Sequence, residues 1–210
     1  GYGSKLRGAK IVEKTDVASE VGDESVLLSS YAPVLAAKNI KVALPIIAKL
    51  KPDIVIFDDG LQNPGFIKDV NILAIDASRA VGNKSIFPSG PLREPVKSAL
   101  DKSDIIVMVG NDLCQDFALI NNVIASNKSF FKAKIKLKQQ LDLNKKYYAF
   151  TAIGNPDRFY KLLKSQRAIL AEVKSFPDHH NYTKPEIEAL QTRAKENKYS
   201  LITTKKDYVK

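Results

Sequence analysis

The sequence predicts an α/β protein: a mostly parallel sheet flanked by helices, with a second, smaller α/β lobe. Three observations carry that expectation. Short, continuous apolar runs rich in β-branched residues occur at IVIF (54–57), VNILAID (70–76) and DIIVMVG (104–110), and such runs read as strands buried on both faces. Stretches of helical or loop character separate them, as crossovers between parallel strands require. After about residue 125 the texture becomes lysine-rich and alternating. That change divides the chain into a core domain over 1–125 and a smaller lobe over 126–210.

In chain order, residues 25–50 hold two apolar stretches of helical character, SVLLSSYAPVLAA and VALPIIAKL, each interrupted by a proline, Pro33 or Pro45. IVIF follows, bounded by Pro52 and Gly60, and then the strand that ends on Asp76. NKSIFPSGPLREP is a loop punctuated by proline and glycine, and VKSALDKS is the next helix. SFFKAKIKL reads as an extended connector or edge strand, and YYAFTAIG as a strand ending at Gly154. Asn155 is placed to cap, and Pro156 to begin, the helix in NPDRFYKLLKS. ILAEVKSF, the loop PDHHNY, a helix opening on the capping signature TKPE (183–186) and the strand YSLITT complete the chain.

Composition bounds the function. Hydrophobic residues make up 44% and charged residues 27% of 210, which is ordinary for a globular protein. Cys114 is the one cysteine; it excludes an internal disulfide and points to a reducing compartment. No apolar run approaches the ~18 residues that span a bilayer. Net charge is +10, unevenly spread: residues 1–111 carry 14 Lys and Arg against 13 Asp and Glu, and residues 112–210 carry 19 against 10. Solvated lysine-rich faces explain this, and so does attraction to an anionic surface, nucleic acid or acidic lipid. The basic residues stand singly, as in KAKIKLK, without interleaved aromatics, which argues against nucleic acid.

Four places could carry chemistry. Asp58 and Asp59 end an apolar run, and carboxylates there are costly unless they meet a cation or donors. A strand ending in Asp is how nucleotide-binding proteins hold Mg²⁺; alternatively one aspartate caps the next element and the other is solvated. His179 and His180 are the only histidines and follow Asp178 in a loop. No further His or Cys completes a zinc set, but a histidine–carboxylate pair for acid–base work is open to them. VGDE (21–24) is either a turn with an acidic first helical turn or part of a site. Arg93 and Glu94, between two prolines, suit phosphate recognition or form an ion pair with each other.

Together and in order, GYG, VGDE, DDGLQ, PSGPLREP, GNPDRF, FPDHH and TTKKD resemble the tetraacyldisaccharide 4′-kinase (lipid A 4′-kinase) family, over residues 1 to about 207. The resemblance implies a P-loop-kinase-like fold. It also implies ATP-dependent phosphorylation of the 4′-hydroxyl of tetraacylated glucosamine disaccharide 1-phosphate, in lipid A biosynthesis at the cytoplasmic face of the Gram-negative inner membrane. ATP would be co-substrate and Mg²⁺ the cofactor. The partners would be that lipid and the anionic membrane surface, with no nucleic acid. In the family a membrane-anchoring helix and a phosphate loop precede GYG. No G-x-x-x-x-G-K-[ST] occurs in this chain, so a fragment that begins after the loop is expected, with little kinase activity of its own.

Carried over by residue, the resemblance makes Asp58 and Asp59 the acids that position Mg²⁺. Asp23 becomes the general base for the 4′-hydroxyl, and His179 its partner in an Asp–His dyad contributed from the second lobe. Arg93 and Glu94 become substrate- or phosphate-contacting residues, with Tyr2, Glu24 and Gln62 as further contributors. The chain departs from the family at Ser25, where Pro is usual, at Asn63, where His is common, and at Lys205, where TTKKD replaces TTEKD. A non-catalytic α/β binding module that has lost its nucleotide loop is the alternative. A Mg²⁺-dependent phosphohydrolase is a third reading, against which no nucleophilic Asp motif is evident.

Overall fold

The computed structural model describes residues 6–110, 114–138 and 140–210. By contacts the chain forms two compact units, Gly1–Pro52 with Leu137–Lys210, and Asp53–Lys136. The boundary near residue 125 follows texture along the chain, whereas compactness joins the first fifty-two residues to the last seventy-four. Both units carry parallel sheets flanked by helices.

The first unit opens with β1 (Ala9–Ile11), α1 (Ala18–Val21), α2 (Asp23–Ser29), β2 (Leu35–Ala37) and α3 (Ile40–Leu50). The expected helical stretch 25–37 is divided: α2 ends at Ser29, and residues 35–37 pair antiparallel with β1. Pro33 lies between, where a helix interior would lose a hydrogen bond and clash with the preceding turn. The Asn39 side chain caps α3 by accepting from the Val42 N–H, and Pro45 is accommodated inside that helix. Val12, Val21 and Ala36 form the small core of this segment.

The rest of the unit is β6 (Lys146–Thr151), α6 (Pro156–Ser165), β7 (Ile169–Ser175), α7 (Lys184–Glu196), β8 (Ser200–Ile202) and α8 (Lys205–Tyr208). Its three strands are parallel in the order β7-β6-β8. The central strand alternates between two cores. Tyr147 and Ala149 meet Phe159, Tyr160 and Leu163 of α6; Tyr148 and Phe150 meet Leu190 and Ala194 of α7. A helix covers each face, which is why KYYAFT is buried almost throughout rather than alternating with solvent. Asn155 caps α6, with Pro156 starting it, and Thr183 and Glu186 form the capping box of α7.

The second unit holds β3 (Ile72–Asp76), α4 (Val96–Lys102), β4 (Ile105–Val109), α5 (Phe117–Ala125) and β5 (Ser129–Ala133). Its strands are parallel in the order β3-β4-β5, and SFFKA takes the edge position. The core packs Ile75, Ile106 and Met108 against Leu100, Leu119 and Val123. One expected strand is absent: residues 54–57 have no regular structure. Ile54 is 79% and Ile56 89% exposed. A parallel strand is stabilised by the ladder to its neighbours, and among the described residues no strand pairs with IVIF.

Candidate active site

Asp23 is the first residue of α2 and is placed by Gly22, whose φ of +94° with ψ of 143° is open to glycine and strained for other residues. The Asp23 side chain is 9% exposed. Its Oδ1 accepts from the Glu24 N–H at 2.9 Å. Its Oδ2 faces the Nδ1 of His179 at 3.2 Å, across 156 positions of sequence. With the proton on Nδ1, the imidazole donates to the carboxylate.

His179 sits in the loop between β7 and α7 with φ of +58°, a left-handed conformation uncommon for residues other than glycine. Its N–H holds that geometry by donating to Ala152 O at 3.2 Å and to Asp178 Oδ1 at 3.0 Å. Backbone strain of this kind collects at functional sites. His180 does different work. Its Nε2 meets both Glu186 oxygens at 3.0–3.1 Å, and its ring stacks on Phe176 at 5.0 Å. The Thr183 N–H, then the His180 ring and the Thr183 hydroxyl, hold the Glu186 carboxyl down at about 2. His180 thus anchors the start of α7, and of the two histidines only His179 reaches Asp23.

Asp23 and His179 belong to one compact unit, not to two lobes as the sequence suggested. The reason is that α8, at the far end of the chain, packs against α2. It brings Lys206 Nζ to 3.9 Å from Asp23 Oδ2 and 3.1 Å from Glu24 Oε1. Lys210, four residues on, places its Nζ 3.8 Å from the same Asp23 oxygen and 3.3 Å from Asp207 Oδ1. Burial pushes the Asp207 carboxyl up, but the hydroxyls of Thr151 and Thr204, the Lys210 ammonium and the Ala152 N–H outweigh it and leave it below the ordinary carboxylate value. Sequence reading passed over Lys206 and Lys210. Lys206 lies in α8 and Lys210 just beyond its C-cap, and no spacing in the sequence marks either one.

The remaining candidates gather in the second unit. Asp58 and Asp59 lie on a turn, Asp59 with φ of +55°. Asp59 Oδ2 accepts from Arg93 Nη1 at 2.6 Å, so the guanidinium pairs with Asp59 rather than with its neighbour Glu94. Glu94 instead accepts from Lys102 Nζ at 2.6 Å and Ser98 Oγ at 2.5 Å. The Lys102 ammonium first, then the Ser98 hydroxyl, hold its carboxyl below the ordinary value, with the Gln62 amide adding to the effect. Tyr2 lies outside the described residues. Among those described, no group of three or more His, Cys, Asp or Glu is arranged to hold a metal ion. Two adjacent carboxylates do fit Mg²⁺, which takes one or two carboxylates and completes its shell with phosphate and water. Arg93 would have to yield Asp59 to it.

Comparison with known proteins adds the context. The pattern of the family described as Tetraacyldisaccharide-1-P 4′-kinase matches residues 1–210. A tetraacyldisaccharide 4′-kinase of Rickettsia canadensis (strain McKiel) is 44% identical over 211 residues, covering all of this chain and 64% of that protein. The corresponding protein of Rickettsia bellii (strain OSU 85-389) is 44% identical over 209 residues, with the same coverage. The chain therefore spans less than two thirds of the length of these relatives. A crystal structure of LpxK from Aquifex aeolicus in complex with ATP superimposes with a TM-score of 0.71 at 25% identity, over 99% of this chain and 67% of that one.

Proposed function

Because the chain belongs to the tetraacyldisaccharide-1-phosphate 4′-kinase family, we propose that its residues transfer the γ-phosphoryl group of ATP to the 4′-hydroxyl of a tetraacylated glucosamine disaccharide 1-phosphate. The observation that carries the proposal is the 3.2 Å contact between Asp23 and His179. It is a carboxylate–imidazole pair, largely shielded from water, built from two segments at opposite ends of the chain.

Asp23 is the general base. As the 4′-oxygen forms its bond to the γ-phosphorus, the hydroxyl proton passes to Asp23 Oδ2 and the bond from phosphorus to the β,γ-bridging oxygen breaks, leaving ADP. His179 orients the carboxylate, and proton transfer to a base so positioned is worth about 10²–10⁴ in rate. Asp58 and Asp59 are the residues that would hold Mg²⁺, whose chemistry is to neutralise charge on the phosphates. Arg93 and Glu94, with Gln62 against Glu94, supply contacts to phosphate or sugar, and Glu24 extends the base cluster. The backbone cradle for the ATP phosphates is assigned to the part of the relatives' length that these 210 residues do not span, so the chain taken alone turns over little. No helix among the described residues is long and apolar enough to cross a membrane. The basic excess after residue 111 suits approach to an anionic bilayer surface, in keeping with an enzyme of the cytoplasmic face of the bacterial inner membrane.

The test places these 210 residues in the Rickettsia canadensis relative in exchange for its matching stretch and measures 4′-phosphorylation with Mg·ATP. Turnover is expected, and Asp23→Asn is expected to lower kcat by about 10³-fold or more. Full turnover in Asp23→Asn would remove Asp23 as base. A graft that folds, binds Mg·ATP and never phosphorylates the lipid would overturn the kinase reading.

A further inference from the structure

Lys210 is part of none of the motifs that single out Asp23 and His179, yet it is the most enclosed cation beside them. Its side chain is 1% exposed, against 21% for Lys206. An ammonium so far from water is costly unless an anion and hydrogen-bond acceptors meet it. Asp207, with a fully buried side chain, meets it at 3.3 Å. Ala152 O accepts from it at 3.4 Å. Asp207 is itself pinned by the hydroxyls of Thr151 and Thr204, each at 2.6 Å, and by the Ala152 N–H at 3.1 Å.

A purely structural pair would end there. Instead the Lys210 ammonium also lies 3.8 Å from Asp23 Oδ2, the oxygen that faces His179. The carbonyl of Ala152 receives both the Lys210 ammonium and the His179 N–H. The backbone of one residue, Ala152, therefore meets Asp207 through its N–H and Lys210 and His179 through its carbonyl, and Lys210 links that frame to the carboxylate of Asp23.

We propose that Lys210, held by Asp207 and Ala152, is a positioning residue for the Asp23–His179 pair: it fixes the Asp23 carboxylate and opposes its charge, so that the pair stands ready to take a proton. The inference rests on Asp23 being the base. Among the described residues, the titratable and charged groups around Asp23 are His179 from the β7–α7 loop, Lys206 from α8, Lys210 just after it, and Glu24 on its own helix. Asp207 stands behind Lys210, as does Tyr182, whose ring lies 5.9 Å from the Lys210 ammonium. With Lys210 gone, Lys206 is the lysine among the described residues left to face both Asp23 and Glu24.

The experiment uses the grafted enzyme. Lys210→Met is expected to lower kcat about tenfold or more while leaving KM for the lipid within about twofold, the signature of a group that acts on the chemical step. The acid limb of the kcat/KM–pH profile is expected to move up by about one to two pH units, as when a carboxylate loses a cation within 4–6 Å. Lys210→Arg should restore both. Lys210→Met leaves Asp207 unpaired, so the double variant Asp207→Asn/Lys210→Met is measured beside it; it removes both buried charges and is expected to show the same displaced limb. An acid limb at its original pH in Lys210→Met and in the double variant overturns the proposal. A limb displaced in Lys210→Arg as far as in Lys210→Met overturns it too. Asp23→Asn separates the two failures: if that variant turns over normally, the reading of Asp23 as base is at fault.

Discussion

Replacing Asp207 by alanine tests the frame behind the dyad by stability rather than by rate. The carboxylate accepts from Thr151 Oγ1 and Thr204 Oγ1 at 2.6 Å and from Ala152 N at 3.1 Å, and it pairs with Lys210 at 3.3 Å. Removing it leaves a buried ammonium whose remaining anion is Asp23 at 3.8 Å, together with the fully buried Thr151 hydroxyl. Breaking a buried pair from one side costs about 3–5 kcal/mol, and Asp23 places the expectation near the lower end. The double variant Asp207→Ala/Lys210→Met removes the stranded ammonium as well and is expected to recover about 1–2 kcal/mol of the loss, a coupling of the size found between contacting residues. Urea unfolding of the 210-residue chain followed by circular dichroism reads both; at about 1–3 kcal/mol per molar urea the single variant's midpoint falls by about 1 M or more. The sign with pH is fixed by the direction of the Asp207 shift. Its carboxyl is held below the ordinary value, so its contribution is present above the ordinary carboxylate range and is lost as pH falls through its folded value. Wild type and Asp207→Ala should converge in acid. A single variant within about 0.5 kcal/mol of wild type at neutral pH, or a double variant as damaged as the sum of the singles, would refute the reasoning.

Three further outcomes are expected. Glu186, held at about 2 against an ordinary 4.5, contributes stability that is present above pH 4.5 and lost as the pH falls toward 2; acid titration of Glu186→Gln should lack that step, and an identical acid profile would count against the capping network. Arg93→Ala removes an ion pair whose two side chains are each 61% exposed, so thermal unfolding should change by less than about 1 kcal/mol. A fall in the grafted enzyme's turnover would then support the proposed contact of the guanidinium with substrate, and unchanged turnover would count against it. Leu163→Ala, fully buried between α6 and β6, should cost about 2–5 kcal/mol; a loss below about 1 kcal/mol would mean that α6 does not seal that face.

The parts of this fold that were legible in the sequence are those whose cause is local. Asn155, Pro156, Thr183 and Glu186 signal helix starts because a cap needs only its own first turn. Residues 105–109 and 146–151 read as strands because burial on both faces demands an unbroken apolar run. IVIF has the same composition but no pairing partner among the described residues, and composition does not encode a partner. The site divides in the same way. Asp58, Asp59, Asp23 and His179 stand out as candidates because their motifs resemble those of a family, but nothing local joins Asp23 to His179 across 156 positions. Lys210 does not stand out in the sequence, because a lysine's letter says nothing about whether its ammonium is buried.

Charge around the dyad gives the arrangement its chemical sense. Asp23, Glu24 and Asp207 contribute three negative charges, and Lys206 and Lys210 contribute two positive ones, all joined through contacts of 3.9 Å or less. With His179 neutral the cluster is one proton short of balance. Under the proposed transfer to a hydroxyl one proton is released, and taking it up would bring the cluster to neutrality instead of adding a net charge beside the enclosed side chains of Asp23, Asp207 and Lys210. His179 is less enclosed than Asp23, 28% against 9% exposed, which places the more accessible end of the pair where the proton can leave again. A lone carboxylate at the start of α2 would have neither property. The last turn of the chain folds back onto α2 to provide the first of them, and the left-handed loop at His179 provides the second.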